Sequence, residues 1–128
     1  MERNALGQKA YAQHKNLEAV NGDVLDFSAV KNAMSGANIV VHCAAIAGID
    51  TVGKSPVKTM RVNVLGSSNV LESAAGLTKC YRVVCFSPSE VFGTHAFQVR
   101  EDMPSQVGAV GEPRWTYATS KLAEEHFA

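Results

Sequence analysis

Polar and apolar positions along this chain fall into two kinds of run. "ANIVVHCAA" (37–45) and "YRVVCFS" (81–87) are nearly continuous apolar stretches, the pattern of strands buried on both faces. "LEAVNGD" (17–23) reads as a third, shorter strand ending in a turn. Between them the period changes to that of a helix. "DFSAVKNAMSG" (26–36) has Asp26 as cap, Phe27, Val30 and Met34 as its apolar face, and Gly36 as its stop. "SPVKTMRVNVLGSSNVLESAAG" (55–76) opens with Ser55 as N-cap and Pro56 at N1, and ends at Gly76. Its apolar positions Val57, Met60, Val64, Val70, Leu71 and Ala74 keep helical spacing. A Gly/Pro-rich loop from Pro88 to Pro113 is too long for a plain connector. "RWTYATSKLAEEHFA" (114–128) closes the chain as a helix.

Strands alternating with helices predict an α/β fold with a parallel sheet. The domain reading is a polar segment at 1–16 followed by this α/β unit at 17–128. In such sheets ligands sit at the carboxyl ends of the strands. Those ends are "GDV" (22–24), "HCAAIAG" (42–48) and "SPSEVFG" (87–93), all small or polar. Small residues are also ordinary at strand ends, so this pattern leaves a site and a plain turn both open.

Composition changes the picture mainly by exclusion. The 128 residues are 46% hydrophobic and 19% charged, with 12 basic and 12 acidic side chains and zero formal net charge. Neither nucleic acid nor a membrane surface is the default partner of such a chain. The apolar runs are too short to span a bilayer, and the polar start lacks a signal-peptide core. Cys43, Cys80 and Cys85 lack metal-type spacing and are read as reduced and mostly buried, which fits the cytoplasm. No metal site is expected.

One spacing carries chemistry. Tyr117 and Lys121 are four apart in the last helix and so project from one face. An ammonium beside a phenol favours the phenolate and makes a pair able to move protons near neutrality. Packing of Tyr117 with a solvated Lys121 is the other reading that spacing allows.

Five segments in register resemble the extended short-chain dehydrogenase/reductase family, the NAD-dependent epimerases and dehydratases. "GDVLD" is similar to the family's adenine-contacting aspartate with its apolar neighbour, and "HCAAIAG" to its strand end beside the nicotinamide ribose. "RVNVLGSSNVLE" carries the family's helix asparagine at Asn63, "SPSEVFG" resembles its serine/threonine strand end, and "YATSK" is its Tyr-x-x-x-Lys. The resemblance implies a Rossmann-type fold, NAD as cofactor with NADP left open, a nucleotide-sugar substrate and a homodimer. It implies Tyr117 as the base, with Lys121 lowering its pKa and binding the nicotinamide ribose. Asp23 and Val24 would meet adenine, Cys43, Ala44 and Ala45 would lie under the cofactor, and Asn63 would bond backbone and water behind the pair. An exposed helix asparagine is the other reading of Asn63.

Two details point within the family. Glu90 follows the strand-end serine, as in members that eliminate water or carbon dioxide after oxidation, where it serves as a second acid or base. "GEPRWTY" resembles the segment of nucleotide-sugar decarboxylases acting on UDP-glucuronate, with Arg114 suited to a carboxylate or phosphate. A surface charge at the helix start is the alternative for Arg114, and Trp115 is read as packing.

The sequence also departs from the family. It contains no G-x-x-G-x-x-G turn, the family's cradle for pyrophosphate. In the strand order 3-2-1-4-5-6, this leaves a partial sheet without its first two strands, with unpaired edges. A fragment or truncated product is the plainest expectation, and a non-catalytic remnant serving as a binding module is the alternative function. A short-chain reductase of steroids or small alcohols is a third reading, opposed by "HCAAIAG" and "SEVFG". Locally, Pro88 stands where relatives carry the hydroxyl that holds the substrate oxygen. Proline has no hydroxyl, so Ser87 or Ser89 would have to replace it, and Ser89 is favoured.

Overall fold

In the computed structural model, residues 14–128 are described. Helix α1 (Phe27–Ala33) starts where Asp26 Oδ1 accepts from the Ala29 amide at 3.0 Å, satisfying one of the first-turn donors. The chain leaves it through Gly36 at φ +78°, a left-handed turn that suits glycine. Strands β1 (Ile39–His42) and β2 (Arg82–Cys85) pair in parallel, from Ile39 opposite Arg82 to His42 opposite Cys85. The connection between them is helical. It runs through α2 (Ile49–Lys54), α3 (Pro56–Met60), a π-helical turn (Arg61–Leu65) and α4 (Gly66–Ala75). A 3₁₀ turn (Ser89–Phe92) lies inside the long loop, and α5 (Trp115–Phe127) ends the chain.

The core forms on one face of this sheet. Val40 packs with Val70 and Ala74 of α4, flanked by Val30, Met34, Ala37, Cys80 and Val83. Helix α4 approaches the turn before α1 closely. A Cβ on Gly66 would fall 2.8 Å from Val24 Cγ2, and Asn69 Nδ2 donates to the Val24 carbonyl at 2.8 Å. Helix α5 packs along α3, the π turn and α4.

Several expectations need correcting. Residues 17–23 form no strand, and Leu17 and Val20 are exposed. Among the described residues the sheet has only β1 and β2, so this segment has no ladder to join. The strands are buried on one face only. Ile39 is 49% and Val41 57% exposed, because no described element covers that side, and the apolar run reflects a face that helices leave open. The helix expected at 55–76 is interrupted by the π turn, and Val57, placed on its apolar face, is exposed. Phe27 is exposed as well. At Ser55 the carbonyl, not the side chain, engages Thr59. Cys43 is exposed and Cys80 and Cys85 are half-buried, since Cys43 lies just past the strand end. Helix α2 was not anticipated. The polar segment at 1–16 falls almost wholly outside the described residues. No described helix is long and apolar enough to cross a membrane.

Candidate active site

The π turn places Asn63 among apolar neighbours with its amide pointed at the loop after β1. Asn63 Oδ1 accepts from the Ile46 amide at 2.7 Å, and its Nδ2 donates to the Ile46 carbonyl at 3.1 Å. The same nitrogen donates to Ser120 Oγ at 2.9 Å, and Ser120 Oγ donates to the Tyr117 carbonyl at 2.7 Å. Asn63 is buried and fully engaged, which excludes the exposed reading. π turns insert an extra residue into a helix and are frequent at functional sites. Here the turn lets one amide hold the strand-end loop and α5 together.

A second rung lies one turn further along both helices. Ser67 Oγ donates to Glu124 Oε2 at 2.7 Å, as Asn63 meets Ser120 one turn before. Lys121 Nζ donates to the same Glu124 oxygen at 2.6 Å, and both residues are buried, at 3% and 1% exposure. His42 Nε2 lies 3.0 Å from Ser67 Oγ and 4.0 Å from Glu124 Oε2. Since the single Ser67 proton goes to Glu124, Ser67 accepts from His42, which is therefore the Nε2–H tautomer. Burial holds His42 below its usual value; Glu124 opposes that shift and Lys121 adds to it. Burial pushes the Cys85 thiol up, and the Glu124 carboxylate pushes it further. Glu124 Oε1 is buried without a hydrogen-bond partner.

The remaining candidates are spread around this centre. Tyr117 is half-buried on the helix that carries Lys121. Cys43, Ala44 and Ala45 are exposed at the carboxyl end of β1, just before the clamped Ile46. Asp23 is exposed, and its Oδ1 accepts from the Leu25 amide at 2.9 Å, while Val24 rests on α4. Ser87 Oγ donates to Glu125 Oε1. Pro88 precedes the 3₁₀ turn, on which Ser89 and Glu90 are exposed, and this turn packs on α5. Arg114 is exposed, its guanidinium 4.7 Å from the ring centroid of buried Trp115. Trp115 Nε1 donates to Glu112 Oε2 at 2.8 Å, and a Cβ on Gly108 would overlap the indole. Trp115 is therefore packing, as expected. Among the described residues no group of three His, Cys, Asp or Glu could hold a metal.

Comparison with known proteins identifies the family. The family model described as NAD dependent epimerase/dehydratase matches residues 3–128. The chain belongs to the NAD-dependent epimerase/dehydratase family. A UDP-N-acetyl-alpha-D-glucosaminuronate decarboxylase of Bacillus cytotoxicus is 30% identical over 110 residues, covering 86% of this chain and 34% of the relative. A dTDP-glucose 4,6-dehydratase of Streptomyces niveus is 32% identical over 125 residues, covering 98% and 35%. The solved UDP-glucose 4-epimerase of Thermus thermophilus, in complex with NAD, superposes with a TM-score of 0.74 at 26% identity, covering 93% of this chain and 38% of that one. The fold of this family member is therefore Rossmann-like. The chain spans about a third of the length of these relatives.

Sequence reasoning missed the groups that surround Lys121. Glu124, Ser67, His42 and Ser120 were not singled out. Helical phase carried a signal for one of them: Glu124, three after Lys121 and seven after Tyr117, shares their face, whereas neighbouring Glu125 is exposed.

Proposed function

We propose that this chain belongs to an enzyme that epimerises, dehydrates or decarboxylates a nucleotide sugar through proton transfer at Tyr117. The observation that carries this is the Asn63 clamp, which joins the strand end at 43–46 to the helix bearing Tyr117 and Lys121. The residues present fit a dinucleotide in part. Cys43, Ala44 and Ala45 offer an exposed, small-residue ledge at the strand end, and Asp23 keeps an exposed carboxylate for an adenine amine. Bound NAD would supply a hydride acceptor for the sugar.

In this reading Tyr117, in its phenolate form, takes the sugar hydroxyl proton and becomes the phenol, and Lys121 keeps a positive charge beside the ribose diol. Asn63 and Ser120 hold the α5 backbone at Tyr117 fixed against the loop. Ser87 is engaged with Glu125, which leaves Ser89 as the hydroxyl for the substrate oxygen where Pro88 has none. Glu90, beside Ser89, is the second acid or base. Arg114, stacked on Trp115 and otherwise exposed, offers its fork to a sugar carboxylate or a phosphate. The name of the Bacillus cytotoxicus relative, a uronate decarboxylase, supports the carboxylate.

Pro88 favours a second reading, in which the catalytic site is lost and the chain serves as a binding module. A chimera decides between them: residues 17–128 in place of the matching part of the Bacillus cytotoxicus relative. It is expected to turn over a UDP-sugar, and Tyr117→Phe should reduce its rate by about 10² to 10⁴. A folded chimera that binds NAD but turns over no nucleotide sugar would overturn the catalytic reading. Pro88→Thr restoring activity to a dead chimera would locate the loss.

A further inference from the structure

We propose that Glu124 is the positioning residue for Lys121, its carboxylate fixing where the ammonium stands while Ser67 and His42 fix the carboxylate. The functional meaning rests on the role proposed above for Lys121, but the geometry does not. Four elements contribute to the cluster: His42 from β1, Cys85 from β2, Ser67 from α4, and Lys121 with Glu124 from α5. The chain of donors is directional. His42 Nε2–H donates to Ser67, Ser67 donates to Glu124 Oε2, and Lys121 donates to the same oxygen. Burial disfavours charge on both His42 and Cys85, and the ion pair of the cluster is Lys121 with Glu124.

An ammonium has three donors, and among the described residues Glu124 is the hydrogen-bond partner of this one. Two donors are left over, which the role proposed above assigns to the phenol and the ribose diol. Without an anchor, a four-carbon stem carries its charge through many rotamers. With Glu124 at 2.6 Å and itself braced by Ser67, the charge has one address. Glu124 does not touch the reacting atoms in this scheme and acts only through Lys121.

The test follows the Lys121 ammonium in the chain itself. With ¹⁵N-labelled lysine, a buried ion-paired ammonium exchanges slowly and gives a protected signal, whereas the exposed lysines do not. Wild-type protein is expected to show this signal and to lose it in Glu124→Gln. Glutamine fills the same volume and keeps an acceptor, so a packing role alone would leave the signal in place, and that result overturns the proposal. Pulse acetylation read by mass spectrometry should find Lys121 slow in the wild type. In Glu124→Gln it should react about tenfold faster relative to Lys31, as expected when a charge-assisted hydrogen bond is lost. Ser67→Ala should give a smaller rise. Should Glu124→Gln unfold, as circular dichroism would show, the wild-type signal and Ser67→Ala still decide: an unprotected wild-type ammonium, or no effect of Ser67→Ala, overturns the idea. NAD added to the chimera described above, once its binding is measured, separates this from the catalytic reading. A Glu124-dependent signal that bound NAD leaves unchanged keeps the positioning role and removes the cofactor role of Lys121.

Discussion

The two faces of the β1–β2 sheet are built on opposite terms. On the inner face, Val40 and His42 are covered by α4, and the groups beyond them include Ser67, Asn63, Ser120, Lys121 and Glu124, all buried and all polar. On the outer face, Ile39, Val41 and Val84 are apolar and exposed. The inner face thus joins a small apolar core to a buried polar cluster, whereas the outer face is apolar and uncovered. The inner side is held by one-to-one hydrogen bonds, where each donor needs a particular acceptor. The outer side has no such partners, and its apolar residues specify only that something should cover them. Substitutions should therefore cost much on the first side and little on the second.

The largest effect should come from separating the buried ion pair. Lys121→Met leaves the Glu124 carboxylate buried without its cation and should lower stability by about 3–5 kcal/mol. Urea unfolding checks this, and a loss below about 1 kcal/mol would mean the pair is solvated in solution. Next comes the clamp. Asn63→Ala strands the Ile46 amide and carbonyl and should cost about 3 kcal/mol, with faster amide exchange at Ile46. If Ile46 exchange is unchanged, the clamp does not hold the loop.

A matched pair on β1 sharpens the contrast. Val40→Ala removes core packing under α4 and should cost about 2 kcal/mol, while Val41→Ala, one residue on, should stay within about 0.5 kcal/mol. Equal costs would show that the outer face is covered in solution. The smallest effect is in the pH dependence. His42 is held below its usual value in the fold, so the unfolded chain binds the proton more readily. Its contribution is intact above the unfolded value of about 6.5 and is lost as pH falls from there through the lowered folded value. The parent should lose stability over that window more steeply than His42→Gln, and parallel curves would show that His42 is solvated.

The same contrast explains what could be read from the sequence. Asp26 capping, the Gly36 stop, the two parallel strands and the Tyr117/Lys121 helix rest on local rules, and each was legible. Asn63 was legible through the family resemblance, which implied that it bonds backbone behind the pair. The exposed outer face was not: "ANIVVHCAA" carries the same apolar signal whether or not a neighbour covers it. The failed strand at 17–23 has the same cause, since a strand depends on a ladder that its own residues cannot supply. Glu124 shares the helical phase of Tyr117 and Lys121, but it was missed because the partners that bury its carboxylate, Ser67 and His42, come from distant elements. The π turn leaves no mark in the hydrophobic period.

That turn has a consequence at the level of inheritance. Asn63 faces Ser120 and Ser67 faces Glu124, two rungs with equal spacing on the two helices. An in-frame loss of one codon between these rungs would turn one of them by about 100° away from its partner. The reading frame would survive, every neighbouring residue would keep its identity, and the strand-end loop and the Lys121 anchor could no longer be held by the same helix. Insertions and deletions, not point substitutions, are thus the changes to which this segment has least tolerance.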